Sequence, residues 1–453
     1  MKTVPFLLLA LFCAAFPVHA RETRPLVICR AELDRAVLPA NESQTAVVKI
    51  TLDTAPLPRE GARPPVNLSI VLDRSGSMSG QPIEHARQAA IEAVNRLDEG
   101  DVFSLITYDS VVETLIPAAP LRDKEEAKQV IRNITPRGMT ALFGGVSQGA
   151  AELRKQIEEG GNTHVHRMIL LSDGLANVGP SSPADLGRLG KSLAKEGISV
   201  STIGLGDSYN EELMTLLARQ SDGNTYYVQN SRDLTRIFNE ELGDVLSVAA
   251  RGIFVRVVCP EGVRPVRTIG REATIRGQTV EMRLNQLYGG QERYLLLELA
   301  VPASKPDSQL ALLTATVEYE SLLENRRETQ TTSLTARFSG DRREVTQSVN
   351  PVVFNNVFLN ISADAKLKAV EAYDQGNREE ALRVLEVNRL QLEEAAADYD
   401  LPELKFEARN VRDQEQNLRR SGMTPGSRKV LYTEGMQEQL QQRVLHRGGP
   451  VSE

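Results

Sequence analysis

The chain has 453 residues, too many for one compact core, and this length predicts two to four domains. Its composition, 41% hydrophobic and 25% charged, is that of an ordinary soluble protein and argues against disorder of the whole chain. The formal net charge of −7 argues against a nucleic-acid binder, because such a protein needs a basic face to neutralise phosphates.

The first twenty residues have the pattern of a secretory signal peptide. Lys2 precedes an apolar run over 5–18, and Ala20 ends the segment with a small residue where a signal peptidase would cut. The run is too short for a membrane anchor, and no later stretch has eighteen uninterrupted apolar residues. We therefore expect an extracytoplasmic protein, periplasmic or secreted, with a signal peptide at 1–20 and no transmembrane segment in the mature chain.

Two cysteines remain after that segment, Cys29 and Cys259. In an oxidising compartment they would be able to form a disulfide. The alternative is a pair of buried thiols that are not bonded to each other, and the sequence favours neither.

Residues 21–65 are predicted to form the first strands of a β-sandwich. Apolar and β-branched residues recur over 25–57, and Pro, Asn and Glu residues bound these runs. A polar segment rich in Pro and Gly follows at 58–65 and is interpreted as a linker.

Residues 66–246 alternate apolar strands with helical patterns. Strands are predicted at Val66–Leu72, Val102–Tyr108, Val111–Ile116, Met168–Leu171, Ile198–Ile203 and Thr225–Val228. Helices are predicted at Ile83–Leu97, 123–133, 142–158, 184–196, Glu211–Arg219 and 231–246. This alternation predicts a doubly wound α/β fold with a mostly parallel sheet. Such sheets bind ligands at the carboxyl ends of their strands.

Residues 247–340 again read as strands without helices, which is typical of a β-sandwich. We expect the strands at 25–57 to join this sandwich, with the α/β domain inserted into it. Residues 341–453 are predicted to form a charged helical region. The stretch 369–385 resembles one tetratricopeptide-type hairpin, and because only one copy is present we interpret it as packed on the sandwich rather than as a peptide-binding groove.

Oxygen-bearing side chains follow two of the buried strands in the α/β segment. Asp73, Ser75 and Ser77 come directly after the first strand, Asp173 ends another, and Thr140 precedes a helix. All are expected at one edge of the sheet, where two carboxylates and three hydroxyls suit a hard divalent cation. Two negative charges merely balance the cation, which leaves a coordination position for a carboxylate from outside.

These motifs resemble the von Willebrand factor type A domain. The DxSxS sequence after a strand, the Thr in its turn and the S-D-G sequence after another strand occur in the family's order over about 66–246. The resemblance implies a metal-ion-dependent adhesion site in which Asp73, Ser75 and Ser77 ligate directly. It implies that Thr140 and Asp173 ligate directly or through water. The expected cation is Mg²⁺, with Ca²⁺ or Mn²⁺ as alternatives.

The resemblance also implies an antiparallel edge strand at Val111–Ile116 and a protein partner that supplies an Asp or Glu to the metal. Met139 departs from the family, since many relatives have Gly there. In its architecture the chain is similar to bacterial extracytoplasmic proteins of the family and to inter-alpha-trypsin inhibitor heavy chains. Arg74 and Arg137 flank the metal loops and are interpreted as solvated surface charges rather than as groups that steer acidic partners.

The predicted function is therefore non-enzymatic binding of a protein, in adhesion or in assembly of an envelope complex. One alternative is an accessory subunit that binds through its sandwich and helical region, with the metal only stabilising. Another is a serine hydrolase at Ser147, within a G-x-S-x-G sequence. That motif needs a strand running straight into it, whereas a turn and a helix start are predicted here.

Overall fold

A computed structural model describes three stretches of the chain: residues 25–57, 63–160 and 163–442. The predicted signal peptide at 1–20 lies outside these stretches, as do residues 58–62 of the predicted linker. Within the described residues, no helix is both long enough and apolar enough to cross a membrane.

Three strands come first in the described chain: Val27–Leu33 (β1), Val37–Pro39 (β2) and Gln44–Thr54 (β3). β1 pairs antiparallel with β3 over its whole length. Most of β3 is buried, because it contributes to a core between two sheets described below.

An alternation of strands and helices follows. The strands are Val66–Asp73 (β4), Val102–Tyr108 (β5), Val112–Pro120 (β6), Val165–Ser172 (β7), Ile198–Leu205 (β8) and Thr225–Val228 (β9). The helices are Gln81–Arg96 (α1), Lys124–Arg132 (α2), Leu142–Gly160 (α3), Pro183–Lys195 (α4), Glu211–Gln220 (α5) and Leu234–Val245 (α6).

These six strands form one sheet in the order β6-β5-β4-β7-β8-β9. All neighbours are parallel except β5 and β6, which pair antiparallel at the edge. The predicted doubly wound fold and its antiparallel edge strand are confirmed. β4, β5, β7 and β8 are buried at every position because apolar cores cover both faces of the sheet. The carboxyl ends of β4, β5 and β7 therefore meet at one edge.

Seven further strands complete two more sheets. They are Val248–Val258 (β10), Arg264–Ile269 (β11), Thr274–Arg276 (β12), Thr279–Tyr288 (β13), Glu292–Val301 (β14), Gln309–Ser321 (β15) and Arg326–Ser339 (β16). The sheets have the orders β1-β3-β14-β11 and β12-β13-β10-β15-β16-β2, and one apolar core contains residues of both. The first strands therefore join this sandwich, and the α/β domain is inserted into it, as predicted.

The sequence pattern does not predict strand β11. Pro265 lacks an N–H group, and Arg264 and Arg267 interrupt the apolar pattern. β11 tolerates these residues because it lies at the edge of its sheet, where one side of the backbone needs no partner strand.

Five helices follow: Arg342–Gln347 (α7), Pro351–Asp374 (α8), Arg378–Asp398 (α9), Pro402–Ser421 (α10) and Pro425–Gln439 (α11). α8 packs on the sandwich, where the Asn360 side chain donates a hydrogen bond to the Tyr294 hydroxyl at 3.0 Å. α11 also reaches the α/β domain, because Lys429 Nζ donates to the Tyr209 carbonyl at 2.7 Å. The helical region thus contacts both the sandwich, through the first half of α8, and the α/β domain. The hairpin at 369–385 was interpreted as packed on the sandwich, but its apolar side chains lie in a core formed among the helices themselves.

A buried arginine joins the α/β domain to the sandwich. Arg167 on β7 is fully buried. Its guanidinium donates to Ser201 Oγ at 3.0 Å and to Gln286 Oε1, on β13, at 2.6 Å. The guanidinium also lies 3.4 Å from the buried carboxylate of Glu241. Because a buried charge is tolerated only when it is paired, these contacts hold both domains to one arrangement.

Cys29 and Cys259 are not bonded to each other, and both thiols are free. Both border the core of the sandwich, and burial raises the pKa of each thiol to about 11. The thiolate is therefore scarce at neutral pH, which makes both residues poor nucleophiles. Of the two alternatives that the sequence leaves open, the structure has the unbonded thiols.

Candidate metal centre

The first part of the site is the turn between β4 and α1. Asp73 ends β4, and its Oδ1 atom accepts the Ser75 N–H at 2.8 Å, which closes the turn. A single 3-10 turn follows at Gly76–Met78, and the buried Met78 side chain anchors it in the core. This turn brings the hydroxyls of Ser75 and Ser77 to 3.0 Å from each other.

The other two predicted ligands come from neighbouring turns. Asp173 directly follows β7, and its Oδ1 atom accepts a hydrogen bond from Ser77 Oγ at 2.7 Å. A Cβ atom added to Gly174 would lie 3.2 Å from Thr140 Oγ1, 3.5 Å from Ser77 Oγ and 3.8 Å from Ser75 Oγ. The three hydroxyls therefore lie close together beside Gly174, where a side chain would crowd them. All five residues singled out from the sequence lie together at this edge of the sheet.

The two carboxylates are buried and carry like charges. Burial raises the pKa of Asp73, which has no exposed surface. Burial, together with the charge of Asp73, raises the pKa of Asp173 to about 6. A cation between these carboxylates would favour both charged forms. Ser77 is exposed, so a ligand would reach this site from solvent.

The donor set is chemically suited to a hard cation. It contains two carboxylates and three hydroxyls, all of them oxygen donors. Among the residues that the structure describes, no three His, Cys, Asp or Glu side chains are grouped so that they could hold a metal ion. The candidate site depends instead on the hydroxyl groups of Ser75, Ser77 and Thr140.

Sequence reasoning missed two residues that position these ligands. The Ser172 hydroxyl donates to Asp73 Oδ2 at 2.7 Å. The Asn177 side-chain oxygen accepts the Thr140 N–H at 2.8 Å, and the Asn177 backbone N–H donates to the Thr140 carbonyl at 3.1 Å. Ser172 had a recognisable signal, since it immediately precedes Asp173 at the end of a strand. Asn177 had none, because its contact with Thr140 depends on how two loops meet.

A cluster of paired charges connects the turns that carry the candidate metal ligands. Arg74 Nε lies 2.7 Å from Asp109 Oδ2, and Arg137 Nε lies 2.9 Å from the same oxygen. Glu113 pairs with both arginines. The interpretation of Arg74 as a solvated surface charge is wrong, because only 5% of this residue is exposed. Arg137 is exposed, but its charge is likewise paired within the protein.

The hydrolase motif has the wrong geometry. Ser147 lies inside α3, which spans Leu142–Gly160, and no strand runs directly into it. A nucleophile elbow needs a sharp turn from a strand into a helix. The arrangement around Ser147 therefore gives no support to the hydrolase alternative.

Comparison with known proteins identifies this part of the fold. Residues 67–240 match the family model of the von Willebrand factor type A domain. A solved structure, von Willebrand factor type A from Catenulispora acidiphila, matches 90% of this chain and 96% of that chain with a TM-score of 0.68 and 16% identity. At this identity the likeness shows the fold alone. The chain thus contains a von Willebrand factor type A domain, and the likeness in fold extends beyond that domain.

Curated relatives match a smaller part of the chain. An uncharacterized Synechocystis protein, sll0103, is 30% identical over 247 residues, which are 52% of this chain and 57% of that protein. Inter-alpha-trypsin inhibitor heavy chain H3 of Rattus norvegicus is 29% identical over 165 residues, which are 35% of this chain and 18% of that protein. The chain therefore spans little more than half of the first relative and under a fifth of the second.

Proposed function

We propose that the chain binds a partner protein outside the cytoplasm through a divalent cation, with Mg²⁺ as the preferred ion. Asp73, Ser75, Ser77, Thr140 and Asp173 hold the cation directly or through water. The partner supplies an Asp or Glu carboxylate as a further ligand. The von Willebrand factor type A domain supports this proposal, since such domains are typically protein-interaction modules.

The observation that carries the proposal is the meeting of five oxygen donors on three turns. The two serine hydroxyls are 3.0 Å apart and Ser77 Oγ is 2.7 Å from Asp173 Oδ1, and this closeness supports the proposal that they bind one ion. Mg²⁺ takes six oxygen ligands in near-octahedral geometry. Asp73 and Asp173 balance its charge, so an added carboxylate from a partner is tolerated electrostatically.

Two features support a location outside the cytoplasm. The first twenty residues have the pattern of an export signal. Part of the chain is also similar to inter-alpha-trypsin inhibitor heavy chain H3. We propose periplasmic or secreted localisation on this basis, with a role in adhesion or in assembly of an envelope complex.

Ser77→Ala is expected to weaken cation binding at least tenfold, because it removes one of the few ligands on the exposed side of the site. Calorimetric titration of the full chain with Mn²⁺ measures this affinity. The matched control is Ser79→Ala, two residues away. The Ser79 hydroxyl donates a hydrogen bond to the Gly76 carbonyl at 2.8 Å, and Ser79 is not one of the proposed ligands. Equal affinities for the two variants would contradict the proposed ligand set.

The protein-binding part of the proposal is tested by pull-down from native envelope extract, in Mg²⁺ and in EDTA. We expect capture of a partner in Mg²⁺ that EDTA and Ser77→Ala both abolish. Capture that persists unchanged in EDTA would contradict the proposal and favour binding through the sandwich and helical region.

A further inference from the structure

Large apolar side chains are exposed on three turns beside the metal centre. Leu175 is 58% exposed, Val111 56% and Met139 50%. Leu175 lies two residues after Asp173, and Met139 immediately precedes Thr140. We call Val111, Met139 and Leu175 the apolar rim. Single exposed apolar residues are ordinary on protein surfaces, whereas a group of them around a polar site points to contact with a partner.

The three turns that carry the apolar rim are joined by hydrogen bonds. The Met139 N–H donates to Ser110 Oγ at 2.9 Å, which connects its turn to that of Val111. The Asn177 N–H donates to the Thr140 carbonyl at 3.1 Å, which connects the loop of Leu175 to that of Met139. The apolar rim is therefore part of the same hydrogen-bonded edge that holds the candidate ligands.

The charges near the metal centre argue against a strongly acidic partner segment. Arg74 is buried against Asp109, and Arg137 is paired with both Asp109 and Glu113. These two arginines are thus already neutralised by carboxylates of the same chain. Apart from the acidic group bound to the cation, further acidic residues of a partner would therefore gain little electrostatic attraction from these two arginines.

The apolar rim instead offers hydrophobic contact. Covering exposed apolar surface favours association in proportion to the area removed from water. Methionine at a binding surface adapts its shape to different neighbours because its side chain is unbranched and flexible. A polar contact combined with buried apolar contacts is the usual anatomy of a protein interface.

We propose that the partner segment carries its acidic residue between apolar residues, and that these apolar side chains pack against Val111, Met139 and Leu175. This proposal rests on the proposed function of the metal centre, since the cation aligns the acidic residue with the apolar rim.

Fluorescence anisotropy with synthetic peptides tests the proposal on the full chain in Mg²⁺. One probe is a nine-residue peptide with a central Asp flanked by Leu on both sides, and the second has Ser at the flanking positions. A third peptide keeps the Leu flanks and replaces Asp by Asn. We expect the Leu-flanked Asp peptide to bind about tenfold more tightly than the Ser-flanked one, which is about 1.4 kcal/mol. The Asn peptide should not bind.

The double substitution Met139→Ser with Leu175→Ser is expected to remove the preference for Leu flanks. It should leave Mn²⁺ affinity unchanged, because neither side chain is a proposed ligand. The matched control is Leu323→Ser, which removes a leucine that is 43% exposed on the sandwich, in the turn between β15 and β16. This control should keep the tenfold preference.

The outcomes separate this proposal from the one on which it rests. Cation-dependent binding of both Asp peptides with equal affinity would overturn the role of the apolar rim and leave the metal-dependent function standing. A preference that survives in the double variant would overturn it too. Binding that is the same in EDTA and for the Asn peptide would contradict the metal-dependent function itself, and the role of the apolar rim with it.

Discussion

Asp73→Asn is expected to abolish the stabilisation of the protein by divalent cations. A cation that binds only the folded state at one hundred times its dissociation constant stabilises that state by about 2.7 kcal/mol. The variant lacks one of the two negative charges that balance the cation, so Mg²⁺ should stabilise its folded state hardly at all. Thermal unfolding with and without Mg²⁺ measures the difference.

The metal-free fold should survive this substitution. The Asn side chain keeps an oxygen that can accept the Ser75 N–H. The substitution also removes the negative charge of the Asp73 carboxylate, which burial disfavours, as the raised pKa of this group indicates. We therefore expect the variant in EDTA to be at least as stable as the original protein in EDTA. Equal stabilisation of both proteins by Mg²⁺ would show that the ion binds elsewhere.

Arg167→Met is expected to lower the free energy of unfolding by about 3–5 kcal/mol, because it leaves the buried carboxylate of Glu241 without its cationic partner. It also breaks the hydrogen bond to Gln286, which joins the α/β domain to the sandwich. Urea unfolding followed by circular dichroism measures the loss.

Two further variants show whether the buried charge is the cause. Arg267→Met removes an arginine that is paired with Glu298 at 2.9 Å but whose side chain is 59% exposed, so its cost should be at most about 1 kcal/mol. The double variant Arg167→Met with Glu241→Gln removes both charges and should recover part of the lost stability. If Arg167→Met costs no more than Arg267→Met, the buried Arg167 does not hold the two domains together.

The central strands of the α/β domain were predictable because of how they are buried. Val102–Tyr108 is covered on both faces, so it reads as a mostly apolar run interrupted by Ser104 and Thr107, and the predicted bounds coincide with those of β5. β11 was not predictable in this way. Pro265 is tolerated because β11 lies at a sheet edge and pairs only with β14. This edge position depends on the folded sheet and cannot be read from the local sequence.

The same distinction applies to the candidate site. Its five residues stand at strand ends and helix starts, and their order resembles a known family, so the sequence alone selects them. The groups that support them depend on contacts between distant segments. Arg74 is separated from Asp109 by 35 positions in sequence, and no local pattern predicts that this arginine is buried. That the five residues bind a cation remains our proposal.

The most direct test is a crystal structure of the full chain grown with Mn²⁺ and measured for anomalous scattering. Our account predicts one peak among the carboxylates of Asp73 and Asp173 and the hydroxyls of Ser75, Ser77 and Thr140, with the directly bound oxygens at about 2.0–2.3 Å. It also predicts a coordination position filled by water or by an added carboxylate. The absence of a peak at this edge of the sheet, with Mn²⁺ bound elsewhere on the chain, would contradict the assignment.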